Sequence, residues 1–172
     1  MRTIARHVGL TPGALYQHFP SKEAILFAYL EDRIDQVTVA VGRAVAAARS
    51  PRERLLAYVR TQVLDSLRLS GVRDGVAIFG LAHLFSRLGP RQRQTIGERM
   101  RRHVTTLRDI LAEGVESGHF RAGLDLTPTA YAILTMCDVV TVWFRPDGRL
   151  APEAVAGLYA DLALRMAAAD PD

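Results

Sequence analysis

Apolar residues recur along this chain at three- and four-residue intervals, in segments separated by Gly and Pro, and no segment sustains the alternation of a strand. The spacing predicts an all-α fold of eight helices. The first, about Arg2–Val8, carries Ile4, Ala5 and Val8 on one face and closes at Gly9. Thr11 at an N-cap with Pro12 at the first helical position opens a short second helix, about Pro12–His18, which Pro20 ends. Ser21 caps a third, with Ile25, Leu26, Tyr29, Leu30, Ile34 and Val37 at helical spacing, running to about Ala48. Ser50-Pro51-Arg52-Glu53 reads as a capping box. It opens a helix with Leu55, Leu56, Val59, Val63, Leu64 and Leu67 facing inward that stops at Ser70-Gly71. Asp74–Leu88 is apolar around most of its circumference, the pattern of a buried helix, and Gly89-Pro90 breaks it. Pro90–Ser117 predicts a helix of about 40 Å, striped by Ile96, Met100, Val104, Leu107, Ile110, Leu111 and Val115. Thr127-Pro128 opens another to about Phe144, and Ala151-Pro152-Glu153 opens the last, ending near Ala168.

Composition narrows the class. The chain has 172 residues, 49% hydrophobic and 23% charged, which suits one globular unit with a sizeable core. The uncharged stretch Leu126–Cys137 ends at Asp138 and is shorter than the roughly 20 residues a bilayer span needs. No secretory peptide is legible, so the cytoplasm is the expected compartment. The single cysteine, Cys137, excludes an internal disulfide framework and a cysteine-based zinc site. The five His are scattered, and no metal or cofactor motif is legible. Neither His-Glu-x-x-His nor Gly-x-Ser-x-Gly occurs, and an enzyme is not expected. Net charge is +4, and of the 22 basic residues only Lys22 is Lys, so Arg abundance follows codon usage as readily as function. Position says more: residues 1–22 hold Arg2, Arg6 and Lys22 against no Asp or Glu. That is a face for an anionic partner or, more plainly, a solvated surface.

Residues 2–18 predict two short helices joined by Gly9-Leu10-Thr11, the spacing of a helix-turn-helix whose second helix enters the major groove. Pro12-Gly13-Ala14 keeps the start of that helix slim, and Tyr16, Gln17 and His18 supply hydrogen-bonding groups, Gln being suited to adenine. Lys22, at the start of the next helix, is within reach of a phosphate. A purely structural corner is the alternative.

The run from Ile4 to Ala24, with its Leu15-Tyr16-Gln17-His18-Phe19 and Ser21-Lys22-Glu23 blocks, resembles the DNA-binding signature of TetR/AcrR-type transcriptional regulators. The resemblance implies DNA contacts from Arg2, Thr11, Pro12, Gly13, Ala14, Tyr16, Gln17, His18 and Lys22, with Leu15 and Phe19 packing. Members of that family carry a further helix before this motif. Met1 stands inside the position where the family's second helix begins, so the first is expected to be missing here, leaving Ile4, Val8, Leu15 and Phe19 less covered. The segment Leu111–Arg121, the run Ala132–Asp138 and Trp143–Glu153 are similar to a subgroup of repressors of fatty-acid and steroid catabolism. Their effectors are often acyl-CoA thioesters.

The domain reading is a DNA-binding segment over residues 1–30 and a helical effector-binding and dimerisation body over 31–172. In the last helix, small residues (Ala156, Gly157, Ala160, Ala163) and bulky ones (Val155, Leu158, Leu162, Met166) predict a homodimer seam through the last two helices, with intramolecular core as the alternative. Phe79, His83, Phe85, Met100, Met136 and Trp143 are the candidate effector lining, each equally explicable as core. His83 and Asp138 stand out, because a polar group in an apolar stretch needs a partner when buried. Arg91, Arg93, Arg99, Arg101 and Arg102, near Arg87 and Arg108, form a solvated face or a seat for the phosphates of a CoA ester. The expected function is a homodimeric repressor that binds a palindromic DNA operator and is released by a small-molecule effector. The alternative is a helical dimer that binds ligand or protein but no longer DNA.

Overall fold

The computed structural model describes residues 11–69 and 85–168. Among them are six helices and no strand: α1 Pro12–His18, α2 Lys22–Ala46, α3 Pro51–Leu69, α4 Pro90–Glu116, α5 Leu126–Trp143 and α6 Pro152–Ala167. The predicted helix over about 2–8 and all but the end of the one over 74–88 lie outside the described residues.

Local capping chemistry explains where the helices begin. Ser21 is in extended backbone, and its hydroxyl accepts the Ala24 N–H at 3.1 Å. Ser50 Oγ accepts the Glu53 N–H at 3.2 Å, but the Glu53 carboxylate reaches back one residue further than a capping box requires, to the Arg49 N–H at 2.8 Å. At Gly89 there is no side chain to cap, and Gln92 Oε1 accepts its N–H at 3.0 Å. After α4 the chain reverses at Gly118, in the left-handed region at φ +72°. The Gly114 carbonyl accepts from both His119 and Phe120 N–H groups, at 2.8 and 2.9 Å.

The core is organised around α3, which packs against α2, α4, α5 and, most extensively, α6. Leu55, Tyr58, Val59 and Val63 of α3 are fully buried. They share one cluster with Leu107 and Leu111 of α4, Ile133, Cys137 and Val140 of α5, and Val155, Ala156, Ala160, Ala163 and Ala167 of α6. This corrects part of the reading of α6: Ala156, Ala160 and Ala163 serve this chain's own core, where an alanine face lets two backbones approach closely, whereas Gly157 is only half-buried and Leu158 and Leu162 point outward. A second, smaller cluster joins Leu30 of α2 to Leu88 and Ile96, with Leu26, Phe27, Ile34 and Phe85 packed on it.

As the sequence predicts, α2 runs unbroken through residue 30, so the segment carrying α1 and the body share one continuous helix. One difference from the sequence reading is that α5 is by length and composition apolar enough to cross a membrane, because Asp138 does not interrupt it. Its Ala130, Ile133, Cys137 and Val140 are instead buried in the bundle, packed against α3 and α4.

Candidate nucleic-acid interface and regulatory body

Helix α1 stands at one end of the chain with a polar, open surface. Thr11 Oγ1 accepts the Ala14 N–H at 3.1 Å, the N-cap that the sequence predicts. Thr11, Gly13, Gln17 and His18 are exposed, Ala14 is half-buried, and Lys22 is exposed at the start of α2. A Cβ placed on Gly13 would meet, among the described residues, nothing nearer than Thr11 Oγ1 at 4.0 Å. Pro12 and Tyr16 lie on α1, but their side chains, like Arg2 altogether, lie outside the described residues.

The connection from this end to the body is a ladder of polar contacts along α2. Arg87 donates to Glu23 at 3.0 Å. The Glu23 carboxyl is held below its ordinary pKa first by its own backbone N–H, then by the Ser21 hydroxyl, and to a lesser degree by Arg87. Two turns further on, Arg99 of α4 forks across Glu31, at 2.9 Å, and Asp35, which are one helical turn apart. Arg33 pairs with Asp65 of α3. Beyond these, His103 of α4 meets Thr38 at 2.8 Å. The Thr38 proton is already given to the Ile34 carbonyl at 2.6 Å, so the His103 ring must donate from Nε2. Its Nδ1 faces the Tyr58 hydroxyl at 3.4 Å, and that hydroxyl donates to the His103 carbonyl at 3.2 Å. Burial lowers the His103 pKa, which keeps the ring neutral near pH 7. These contacts tie α4 to α2, the helix that follows α1. Arg99→Gln is expected to leave dimerisation and effector affinity unchanged while shifting effector-dependent release of DNA by about threefold or more. Operator titrations with and without effector measure it.

Among the described residues, the candidate effector residues are not gathered into one place. Phe79 and His83 lie outside the described residues. Phe85 belongs to the small cluster, and Met136 packs on the main one. Met100 is 51% exposed, although it lies on the same face of α4 as the buried Ile96 and Leu107. Trp143 is 47% exposed at the end of α5. It stacks on Tyr159 with ring centroids 6.2 Å apart and donates from its indole to the Tyr159 hydroxyl at 2.9 Å. Concavities of about 330 and 290 Å³ lie elsewhere, lined in the first by Gly42, Arg54, Asp109 and Glu113 and in the second by Arg52, His119, Asp161 and Arg165. In the Arg-rich region, Arg87 and Arg99 are occupied by the ladder, and Arg93 donates to the Leu88 carbonyl at 2.7 Å. Arg91, Arg101, Arg102 and Arg108 remain at the surface.

The polar centre of the body is only half visible in the sequence. Asp138 stands out there, but its partner Gln62 does not: Gln62 Nε2 donates to Asp138 Oδ1 at 3.3 Å. Asp138 has much of its surface in solvent, yet the protein packed around its carboxylate raises its pKa, a shift that Gln62 opposes. Tyr58, one turn before Gln62, is fully buried, and burial pushes its pKa and that of Cys137 upward, so both stay protonated. The signal is present in the α3 pattern, where Tyr58 and Gln62 sit four residues apart beside an otherwise aliphatic stripe.

Residues 1–29 match the family described as bacterial regulatory proteins, tetR family, and residues 48–167 match the tetracyclin repressor-like C-terminal domain. The chain belongs to the TetR family. Among solved TetR-family structures, PfmR from Thermus thermophilus is 31% identical, covering 95% of this chain and 86% of that one at a TM-score of 0.77. AibR, solved in complex with isovaleryl coenzyme A and operator DNA, is 30% identical over 96% of this chain and 85% of its own, also at 0.77. The HTH-type transcriptional repressor KstR2 of Mycobacterium tuberculosis is 27% identical over 168 residues, 95% of this chain and 80% of that protein.

Proposed function

We propose that this protein is a homodimeric, cytoplasmic TetR-type repressor, without enzymatic activity, that binds a palindromic operator and is released by an acyl-CoA. The observation that carries the reading is the exposed, Thr11-capped α1 inside the family's DNA-binding segment, joined to the body by one continuous helix. AibR, which is similar along nearly the whole chain, was solved with both an acyl-CoA and operator DNA, and KstR2 is a repressor.

In this reading Thr11, Pro12, Gly13 and Ala14 approach base edges or adjacent phosphates. Tyr16, Gln17 and His18 hydrogen-bond to bases or backbone, Arg2 and Lys22 neutralise phosphates, and two copies of α1 address half-sites about 34–36 Å apart. Effector binding in the body favours an arrangement in which the α4–α2 ladder sets the two copies at a different spacing. The effector must bind the two arrangements unequally, since equal affinity shifts nothing. The alternative, a dimer that has lost DNA binding, is not favoured by these relatives.

Tyr16→Ala is expected to weaken binding to a promoter fragment from the protein's own genetic neighbourhood by about thirtyfold or more, one contact being lost in each subunit. The dimer stays intact in gel filtration. Unchanged affinity in a gel-shift titration removes residues 12–18 from the recognition role.

A further inference from the structure

Gln62 carries a polar atom that the fold leaves unused. Its Nε2 donates to Asp138, while its Oε1 is shielded from solvent and meets no hydrogen-bond partner among the described residues. A carboxylate can only accept, so the Asp138 contact decides which end of the amide is nitrogen and turns the oxygen away from Asp138. A buried acceptor left unpaired is worse for stability than an apolar side chain of the same shape, and the few that proteins retain call for an explanation. Gln62 lies where α3 faces α5, one turn from the buried Tyr58, in the body and away from the small cluster that ties α2 to α4.

We propose that Gln62 Oε1 is the specificity-determining acceptor of the effector site, reserved for an N–H or O–H donor on an otherwise apolar ligand. This rests on the effector reading above and deepens it. A site of this kind is mostly apolar, with a few polar groups that fix orientation, and it rejects analogues that lack the matching donor. Two sources supply that donor: an amide N–H of the pantetheine arm of an acyl-CoA, or a hydroxyl on a free fatty acid.

Calorimetry on the purified full chain separates them. One arm titrates acyl-CoA thioesters from isovaleryl to stearoyl. The other titrates 3-hydroxy fatty acids beside their unsubstituted counterparts. Gln62→Met and Gln62→Leu remove the acceptor at similar volume. Whichever arm binds the wild type is expected to bind both variants about tenfold more weakly, with the preference for hydroxy over plain acids collapsing if the second arm is the one that binds. Effector-free operator affinity is expected to hold, and the thermal midpoint to change little, because the variants lose the unpaired acceptor and the Nε2 bond to Asp138 together. Equal effector affinity in wild type and variants overturns this inference alone. Failure of the wild type to bind either arm overturns the effector reading and this one with it.

Discussion

Glutamate at both Leu158 and Leu162 yields a folded monomer that no longer binds operator at concentrations where the wild type does. These two leucines are 53% and 49% exposed on α6. On α5, which meets α6 through Trp143 and Tyr159, the apolar Tyr131, Val139, Val142 and Trp143 are exposed as well, and exposed apolar side chains in number mark a protein contact rather than a solvated face. In a twofold dimer each residue occurs twice, so the double substitution removes four leucines and brings four carboxylates into the seam. Each leucine is already about half covered within its own chain, so at about 1.5–3 kcal/mol for full burial the four together lose about 3–6 kcal/mol before any charge repulsion, about a quarter to a half of the free energy of a nanomolar dimer. Neither leucine contributes to the chain's own core, so circular dichroism and the monomer's fold are expected to be preserved. Sedimentation and gel-shift titration measure the outcome, and a variant that remains dimeric removes α6 from the interface.

Gly114→Ala is expected to be strongly destabilising, against the general rule that alanine improves a helix interior by about 0.5–1 kcal/mol. A Cβ at Gly114 would lie 2.0 Å from Phe120 Cδ2 and 2.2 Å from Cε2, inside the ring itself. Phe120 is 3% exposed, and its own N–H is held by the Gly114 carbonyl at 2.9 Å across the turn at Gly118, so the ring cannot retreat by sliding the chain. Displacing it forfeits its place in the core, for a loss of about 3 kcal/mol or more. For a chain of this size that is a fall in thermal midpoint of about 6–12 °C. Gly114→Ala combined with Phe120→Leu should lose less than the sum of the two single substitutions, because both act on one contact. Additive losses would show that the ring and the glycine do not meet.

Much of this architecture is legible residue by residue. Ser21, Thr11 and Gln92 satisfy backbone N–H groups within three residues of themselves, so those helix starts follow from short-range chemistry. The α1 surface is similarly local, since a seven-residue helix between Thr11 and Pro20 has few ways to hide Gln17 and His18. The effector side is not legible in the same way. Met100 and Met136 each fit a helical stripe, yet one is half exposed and the other packs on the core, because periodicity does not say which stretch of a helix another helix covers. Gln62 reads as an ordinary surface glutamine until α5 brings Asp138 against it from 76 positions away.

The amino-acid sequence alone determined that the chain is helical, where the described helices start and stop, and which end reads DNA, because capping, proline geometry and apolar periodicity act over four residues or fewer. Tertiary structure alone decided which face of α6 stays in the chain's own core and which is left for a partner. It also decided that Arg99 is a clamp on α2 rather than a phosphate seat, and that Gln62 is left with an open acceptor. Those outcomes depend on which distant helix lies opposite, and a periodic pattern reports how much of a helix is buried but not what buries it.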